Sequence, residues 1–162
     1  MQPIQEQLQT PTYFEYELLP QTPPLNPEYV AALDSMIAGP WTDAFQCITA
    51  LRSIVKHNPT LASDVVTRYS ANAMDLINTG KTQLVKNVLS LIKETFRLGK
   101  YVNVEKCVDS FVRVLIKKSA NEHGLLKEMT DQALFEFTAN CGYDVSFMIT
   151  TELSCDKNVN MS

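Results

Sequence analysis

The first 51 residues contain no lysine and no arginine, yet they carry six acids: Glu6, Glu15, Glu17, Glu28, Asp34 and Asp43. All 14 bases and the other 12 of the 18 acids lie in residues 52–162. The net charge of −4 therefore divides into an acidic head and a mildly basic body. A dedicated nucleic-acid binder is usually far more basic, so no nucleic-acid partner is expected. A local basic edge that meets an acidic partner is compatible with this balance. The sequence also lacks any run of about 18 apolar residues, so no membrane span or membrane partner is expected. Its start, MQPIQEQLQ, has no basic region and no apolar core, so no signal peptide is expected. The sequon Asn160-Met161-Ser162 is discounted for the same reason.

Cysteine pairing motifs are missing too. The four cysteines, at 47, 107, 141 and 155, form no CxxC pair. Only His57 and His123 could join them, at spacings that fit no common zinc site. They read as free thiols in a reducing compartment, with Cys47 and Cys107 as small core residues. There is no HExxH, no GxSxG and no glycine-rich cradle. Glu15 and Glu17 are close in sequence but lie on a proline-rich segment that does not fix their separation. Asp75-Leu-Ile-Asn-Thr-Gly80-Lys81-Thr82 approaches the phosphate-loop pattern GxxxxGK[ST]. Asp75 replaces the first glycine with a charge that opposes phosphate, and helical spacing precedes it where a strand is required. Gly80 reads instead as a helix C-cap followed by a new helix start. No catalytic residue, cofactor or metal is expected, and the chain is read as not an enzyme.

What is present begins with proline. Six of the eight prolines fall in residues 1–27, which excludes a helix or an inner strand there. The middle of this segment, Tyr13-Phe14-Glu15-Tyr16-Glu17-Leu18-Leu19, is too apolar for an idle linker. It either packs back on its own domain or lies as a strap in a groove of a partner. The partner reading is adopted, with Tyr13, Phe14, Tyr16, Leu18 and Leu19 as docking residues. Deleting the tail is then expected to leave the helical fold intact.

From Asn26, a helix cap followed by Pro27 and Glu28, the apolar residues recur at three-and-four spacing. Successive stripes run through Tyr29–Ile37, Ala44–Val55, Leu61–Leu76, Val85–Phe96, Val104–Leu115 and Leu126–Phe137, with a short seventh at Val145–Leu153. No alternating stretch competes for a strand, so the class is all-α. Breaks at Gly39-Pro40, Gly80 and Gly124 are about 40 residues apart, the period of HEAT or armadillo solenoids. An unrelated helical bundle is the alternative. The expected organisation is an extended tail over 1–25, a solenoid of about three helical hairpins over 26–155, and a short C-terminal tail over 156–162. The seventh stripe opens a repeat that does not close. Its Phe147, Met148 and Ile149 are expected to be covered by a partner or a second copy.

Trp41, the single tryptophan, opens the segment after the first break. In a stack of hairpins the turns line up on one edge. That edge would present Trp41, then Lys81 and Thr82 with Lys86 one helical turn further on. Lys117-Lys118, Asn121, His123 and Lys127 follow around the third break. Tryptophan is enriched at binding hot spots, and the line-up suits an acidic protein surface. An anchor of this kind is expected to be removable with little change in melting.

The chain resembles the TOG domains of microtubule regulators, particularly the CLASP and crescerin branch. Pro40-Trp41 through Leu51-Arg52 to His57 is similar to that family's first repeat, where a tryptophan opens the second helix and a leucine-arginine pair follows. Asn78 to Val85 resembles the second turn, with Lys81-Thr82 where the family tends to have Arg-Ser. Lys117 to Leu134 resembles the third. With about three repeats the chain reads as a short form or a fragment. The resemblance implies a non-enzymatic microtubule-associated protein that binds tubulin, alongside other microtubule-associated proteins, through Trp41, Lys81, Thr82, Lys86, Asn121 and Lys127. It also implies a cytoplasmic, cytoskeletal location extending to the cilium or axoneme. The alternative function is a HEAT-like adaptor in another cytoplasmic assembly.

Overall fold

The computed structural model describes residues 11–98 and 105–140. The Asn26 side chain accepts a hydrogen bond from the Tyr29 amide at 2.8 Å, and Pro27 takes the first helical position, where no amide hydrogen is needed. The helix α1 that starts here spans Pro27–Ile37 and turns at Gly39-Pro40. It is followed by α2 (Trp41–His57), α3 (Pro59–Leu76), α4 (Thr82–Arg97), α5 (Glu105–Asn121) and α6 (Gly124–Asn140). A single 3-10 turn, Tyr16–Leu18, precedes them. All the described regular structure is helical. None of the described helices is long and apolar enough to cross a membrane.

The six apolar stripes between Tyr29 and Phe137 each became a helix, and the breaks became turns. Gly80 is the exception. The helix α3 stops at Leu76, and Ile77 is its C-cap with right-handed φ. The Thr79 hydroxyl donates to the Leu76 carbonyl at 2.9 Å, and the Asn78 amide to the Met74 carbonyl at 3.3 Å. Side chains thus satisfy the last carbonyls, so no left-handed glycine is required. Positive φ occurs instead at Gly124, the first residue of α6. The expected seventh helix at Val145–Leu153, with Phe147, Met148 and Ile149, lies outside the described residues, as do Cys141 and Cys155. So does the side chain of Cys107.

The helices pair as hairpins α1–α2, α3–α4 and α5–α6, and the hairpins stack. One row packs α2 on α4 and α4 on α6, and a second packs α3 on α5. This is an α-solenoid, in which each apolar face is hidden by the next layer. The central helix is α4, with 11 of its 16 residues buried. Phe96 of α4 meets Phe111 of α5 edge-on at 6.4 Å and Phe137 of α6 at 5.4 Å, which seals the second layer to the third. Arg97 and Glu136 add an ion pair at 3.2 Å.

Polar links hold the first layer to the second. On one row, Asp34 of α1 receives Arg68 at 2.6 and 3.2 Å and the Tyr69 hydroxyl at 2.7 Å. Hydrogen bonds from Arg68 and then Tyr69 hold the Asp34 carboxyl below the usual carboxylate range. Burial, reinforced by Asp34, pushes the Tyr69 phenol up to about 12. On the other row, Arg52 of α2 is fully buried and binds Glu94 of α4 through two hydrogen bonds, at 2.9 and 2.7 Å. It also donates to Asn87 at 3.0 Å. The Asn87 amide is itself held by the Phe45 carbonyl at 3.0 Å and Thr49 at 2.9 Å. Cys47 is a buried free thiol that donates to the Leu33 carbonyl at 3.5 Å, and burial pushes it up to about 12.

These links generate two predictions. Arg52→Ala leaves the buried Glu94 without a counter-charge, and the expected loss is about 3–5 kcal/mol in urea unfolding. The double variant Arg52→Met, Glu94→Leu should be markedly more stable than either single change, because no buried charge then remains unpaired. At the other link, the folded pKa of Asp34 lies below its unfolded value of about 4. Its contribution is complete above the unfolded pKa and disappears as pH falls through the folded one. Asp34→Asn should therefore be less stable than the native chain near neutral pH. The gap should close as pH falls from about 5 toward about 2, followed by denaturant melts across that range.

Candidate functional site

The turns of the first two hairpins meet, and among the described residues the third is not joined to them. The second helix α2 opens directly on Trp41, with Pro40 fixing the entry and accepting the Ala44 amide through its carbonyl at 3.0 Å. The Trp41 ring is half-buried and packs against the core cluster. The expectation of a fully removable anchor is therefore corrected: Trp41 serves the first hairpin as well as facing outward. From the second turn, the exposed Lys81 brings its ammonium to 5.5 Å from the Trp41 ring centre. Two turns about 40 residues apart in sequence thus meet, as the stacking argument required. Thr82 is exposed beside Lys81 at the start of α4.

The remaining edge residues are not part of that pair. The Lys86 ammonium sits 4.1 Å from the ring of Tyr13, in the N-terminal segment. Asn121, the exposed last residue of α5, donates to the Lys117 carbonyl at 2.8 Å. Lys127 pairs with Asp131 one turn along α6 at 3.1 Å. Hydrogen bonds from the Ser119 hydroxyl and then Lys127 hold the Asp131 carboxyl low. Among the described residues, no hydrogen bond, ion pair or ring contact joins Asn121 or Lys127 to Trp41, Lys81 or Thr82. Between the second and third turns lies a cleft of about 370 Å³, lined by Asn78, Thr79, Val114, Lys117, Lys118, Asn121 and Glu122. The phosphate-loop-like stretch Asp75–Thr82 is the end of α3 and this second turn, preceded by helix and not by a strand.

The N-terminal segment takes the other of its two possible courses. Expected on a partner, Tyr13, Phe14, Tyr16 and Leu19 lie on the chain's own α2 and α4. The Tyr13 ring carries two cations, Arg52 at 4.9 Å and Lys86 at 4.1 Å, and its hydroxyl bonds Ser90 at 2.7 Å. Arg52 donates to the Phe14 carbonyl at 2.8 Å. Lys56 donates to the carbonyls of Tyr16 and Glu17 at 2.8 and 3.1 Å and lies 5.1 Å from the Tyr16 ring. The His57 ring bonds the Leu19 carbonyl through Nε2 at 3.1 Å and accepts Gln21 at Nδ1, 3.2 Å away. Leu19 is buried, whereas Leu18 is 69% exposed and remains outward. The strap's carbonyls and the Tyr13 and Tyr16 rings meet the first concentration of basic side chains in the sequence, Arg52, Lys56 and His57 on one face of α2.

Arg52 and His57 stand out in the sequence only within the family-like segment, with His57 also set aside as a zinc ligand, whereas Asn87, Glu94 and Lys56 carry no such mark. A signal existed. Arg52 interrupts the apolar stripe of α2, and Glu94 interrupts that of α4 one repeat later. Charges at equivalent core positions of successive repeats can meet only if the repeats stack.

The chain matches the sequence family described as CLASP N terminal over residues 39–161. No curated protein and no solved structure matches it.

The strap's contacts predict the effect of removing it. Deleting residues 1–25 exposes the Leu19 site and unpairs Lys56 and Lys86, and burial of one leucine is worth about 2 kcal/mol. The expected outcome is a stability loss of at least about that size in urea unfolding, with helical circular dichroism retained in the folded state.

Proposed function

The chain belongs to the CLASP N-terminal family, and from that premise we propose that it binds tubulin through the turn edge built on Trp41 and Lys81. The family is one of microtubule-associated, TOG-like HEAT-repeat proteins and is not an enzyme family. Association with the cytoskeleton follows at the level of the family. The observation that carries the finer reading is the 5.5 Å approach of the Lys81 ammonium to the Trp41 ring. It joins the first two turns into one surface with an aromatic body and an exposed charge. Thr82 adds a hydroxyl beside them. Asn121, Lys117 and Lys127 extend the edge along the third hairpin, where Lys127 would exchange Asp131 for a partner carboxylate. Lys86 is engaged by the strap and contributes only when Tyr13 releases it.

Co-sedimentation with microtubules tests this. Lys81→Glu changes an exposed side chain and should weaken binding clearly at low salt, with the difference shrinking as ionic strength rises. Trp41→Ala should weaken binding by about 2 kcal/mol or more, roughly thirtyfold in Kd, and should also lower the melting temperature because the ring is half-buried. Trp41→Phe keeps most of the packing, so a binding loss with near-native melting in that variant separates contact from core. Undiminished pelleting of Lys81→Glu and Trp41→Phe at low salt would remove the turn edge from the interface.

A further inference from the structure

We infer that the groove between α2 and α4 is a receptor for an extended acidic peptide, that the chain's own strap is its exchangeable occupant, and that a partner segment of the same chemistry can take its place. The groove reads main chain. Three donors on one face of α2, Arg52, Lys56 and His57, bond four strap carbonyls: those of Phe14, Tyr16, Glu17 and Leu19. Carbonyls are common to every peptide, so this part of the recognition is indifferent to sequence. Two side chains are read individually. Tyr13 sits against Arg52 and Lys86 with its hydroxyl on Ser90, and Leu19, six residues on, is buried. Glu15, Glu17 and Leu18 face outward. Residues 11–21 carry two acids and no base, and they lie over Arg52, Lys56 and Lys86, a charge complementarity that favours acidic segments.

The receptor does not depend on its occupant for its shape. The two hydrogen bonds of Arg52 to Glu94 and the one to Asn87 do not involve the strap, which supplies only the Phe14 carbonyl and the Tyr13 ring. Asn87 stays pinned by Phe45 and Thr49. A site held open by its own network binds without the cost of reorganising. The tether is equally suited to release. Pro20, Pro23 and Pro24 separate the strap from α1, which carries its own cap at Asn26. The strap can therefore leave without unwinding the first helix. With the strap in place, Lys56 and Lys86 are covered and glutamates face outward. With the strap released, the same face offers these cations to an acidic partner. This inference is independent of what the turn edge holds.

The test uses the full chain and a fluorescently labelled peptide of residues 11–21. Leu19→Asp removes the buried anchor and releases the strap. The labelled peptide should bind this variant at least about tenfold more tightly than the native chain, whose groove is filled. Adding Lys86→Glu to Leu19→Asp should abolish most of the gain. Peptide with Glu15→Lys and Glu17→Lys should bind at least about tenfold more weakly. A peptide of unrelated sequence that keeps a tyrosine, two acids and a leucine six residues after the tyrosine should compete. Equal binding to native and Leu19→Asp chains overturns the receptor. Equal binding of the lysine peptide overturns the acidic preference, and failure of the unrelated peptide to compete makes the groove private to the strap. Where Leu19→Asp loses its helical signal, a protease site placed at residues 22–25 and cut after folding serves instead. Exchange of the cut strap for labelled peptide supports the inference, and no exchange at excess peptide overturns it.

Discussion

The Arg52 guanidinium has no exposure to water, and the polar contacts between the first two layers on this row are arranged around it. A guanidinium carries five N–H donors, and those taken out of water need acceptors inside the protein. Glu94 supplies two from the next layer, Asn87 a third, and the strap's Phe14 carbonyl a fourth. Burying such a pair is not by itself a source of stability, since desolvation offsets the attraction. What it provides is register. Arg52 has one place where both Glu94 oxygens and Asn87 coincide. That coincidence sets how α4 lies on α2, and hence where Lys81 stands relative to Trp41.

The two ends of the first hairpin thus share one fixed point. Toward the turn edge, the register places an exposed lysine over a half-buried tryptophan. Toward the outer face, the same arginine reaches the strap. The third layer is joined differently, through the Phe96, Phe111 and Phe137 cluster and the Arg97–Glu136 pair. Aromatic packing is less exacting in register than a bidentate ion pair. The third hairpin also contributes edge residues, Asn121 and Lys127, that satisfy themselves locally and make no contact with the Trp41–Lys81 pair.

Much of this was legible in the sequence. Periodicity located the helices from Asn26 to Asn140, because an amphipathic stripe is a local property and its breakers are local too. The 40-residue recurrence of breaks implied stacking, and stacking implied the meeting of Trp41 with Lys81. Three things were not legible, each for a reason of range or environment. The cap of α3 went to Asn78 and Thr79, and not to Gly80, because two side chains satisfied the terminal carbonyls before a left-handed residue was needed. The extent to which Trp41 is buried depends on how α1 and α2 close, which periodicity does not report. The destination of the strap was undecided between self and partner, since its composition suits any basic groove. Only the placement of Arg52, Lys56 and His57 on one face of α2, filling that groove's donors, decides it.

The strap also explains an asymmetry in charge that composition alone left idle. An acidic head without a single base and a mildly basic body would attract each other wherever they were free to meet. Here they do meet, with Arg52, Lys56 and Lys86 drawn to an aromatic, carbonyl-rich segment bearing Glu15 and Glu17. Among the described residues, Lys81 and Lys117 stand exposed at the turns, where an acidic partner can meet them. Neutralising one basic face in cis narrows where an acidic surface can settle, which turns a diffuse attraction into an oriented one. Lys86 belongs by position to the edge and by contact to the strap, 4.1 Å from the Tyr13 ring.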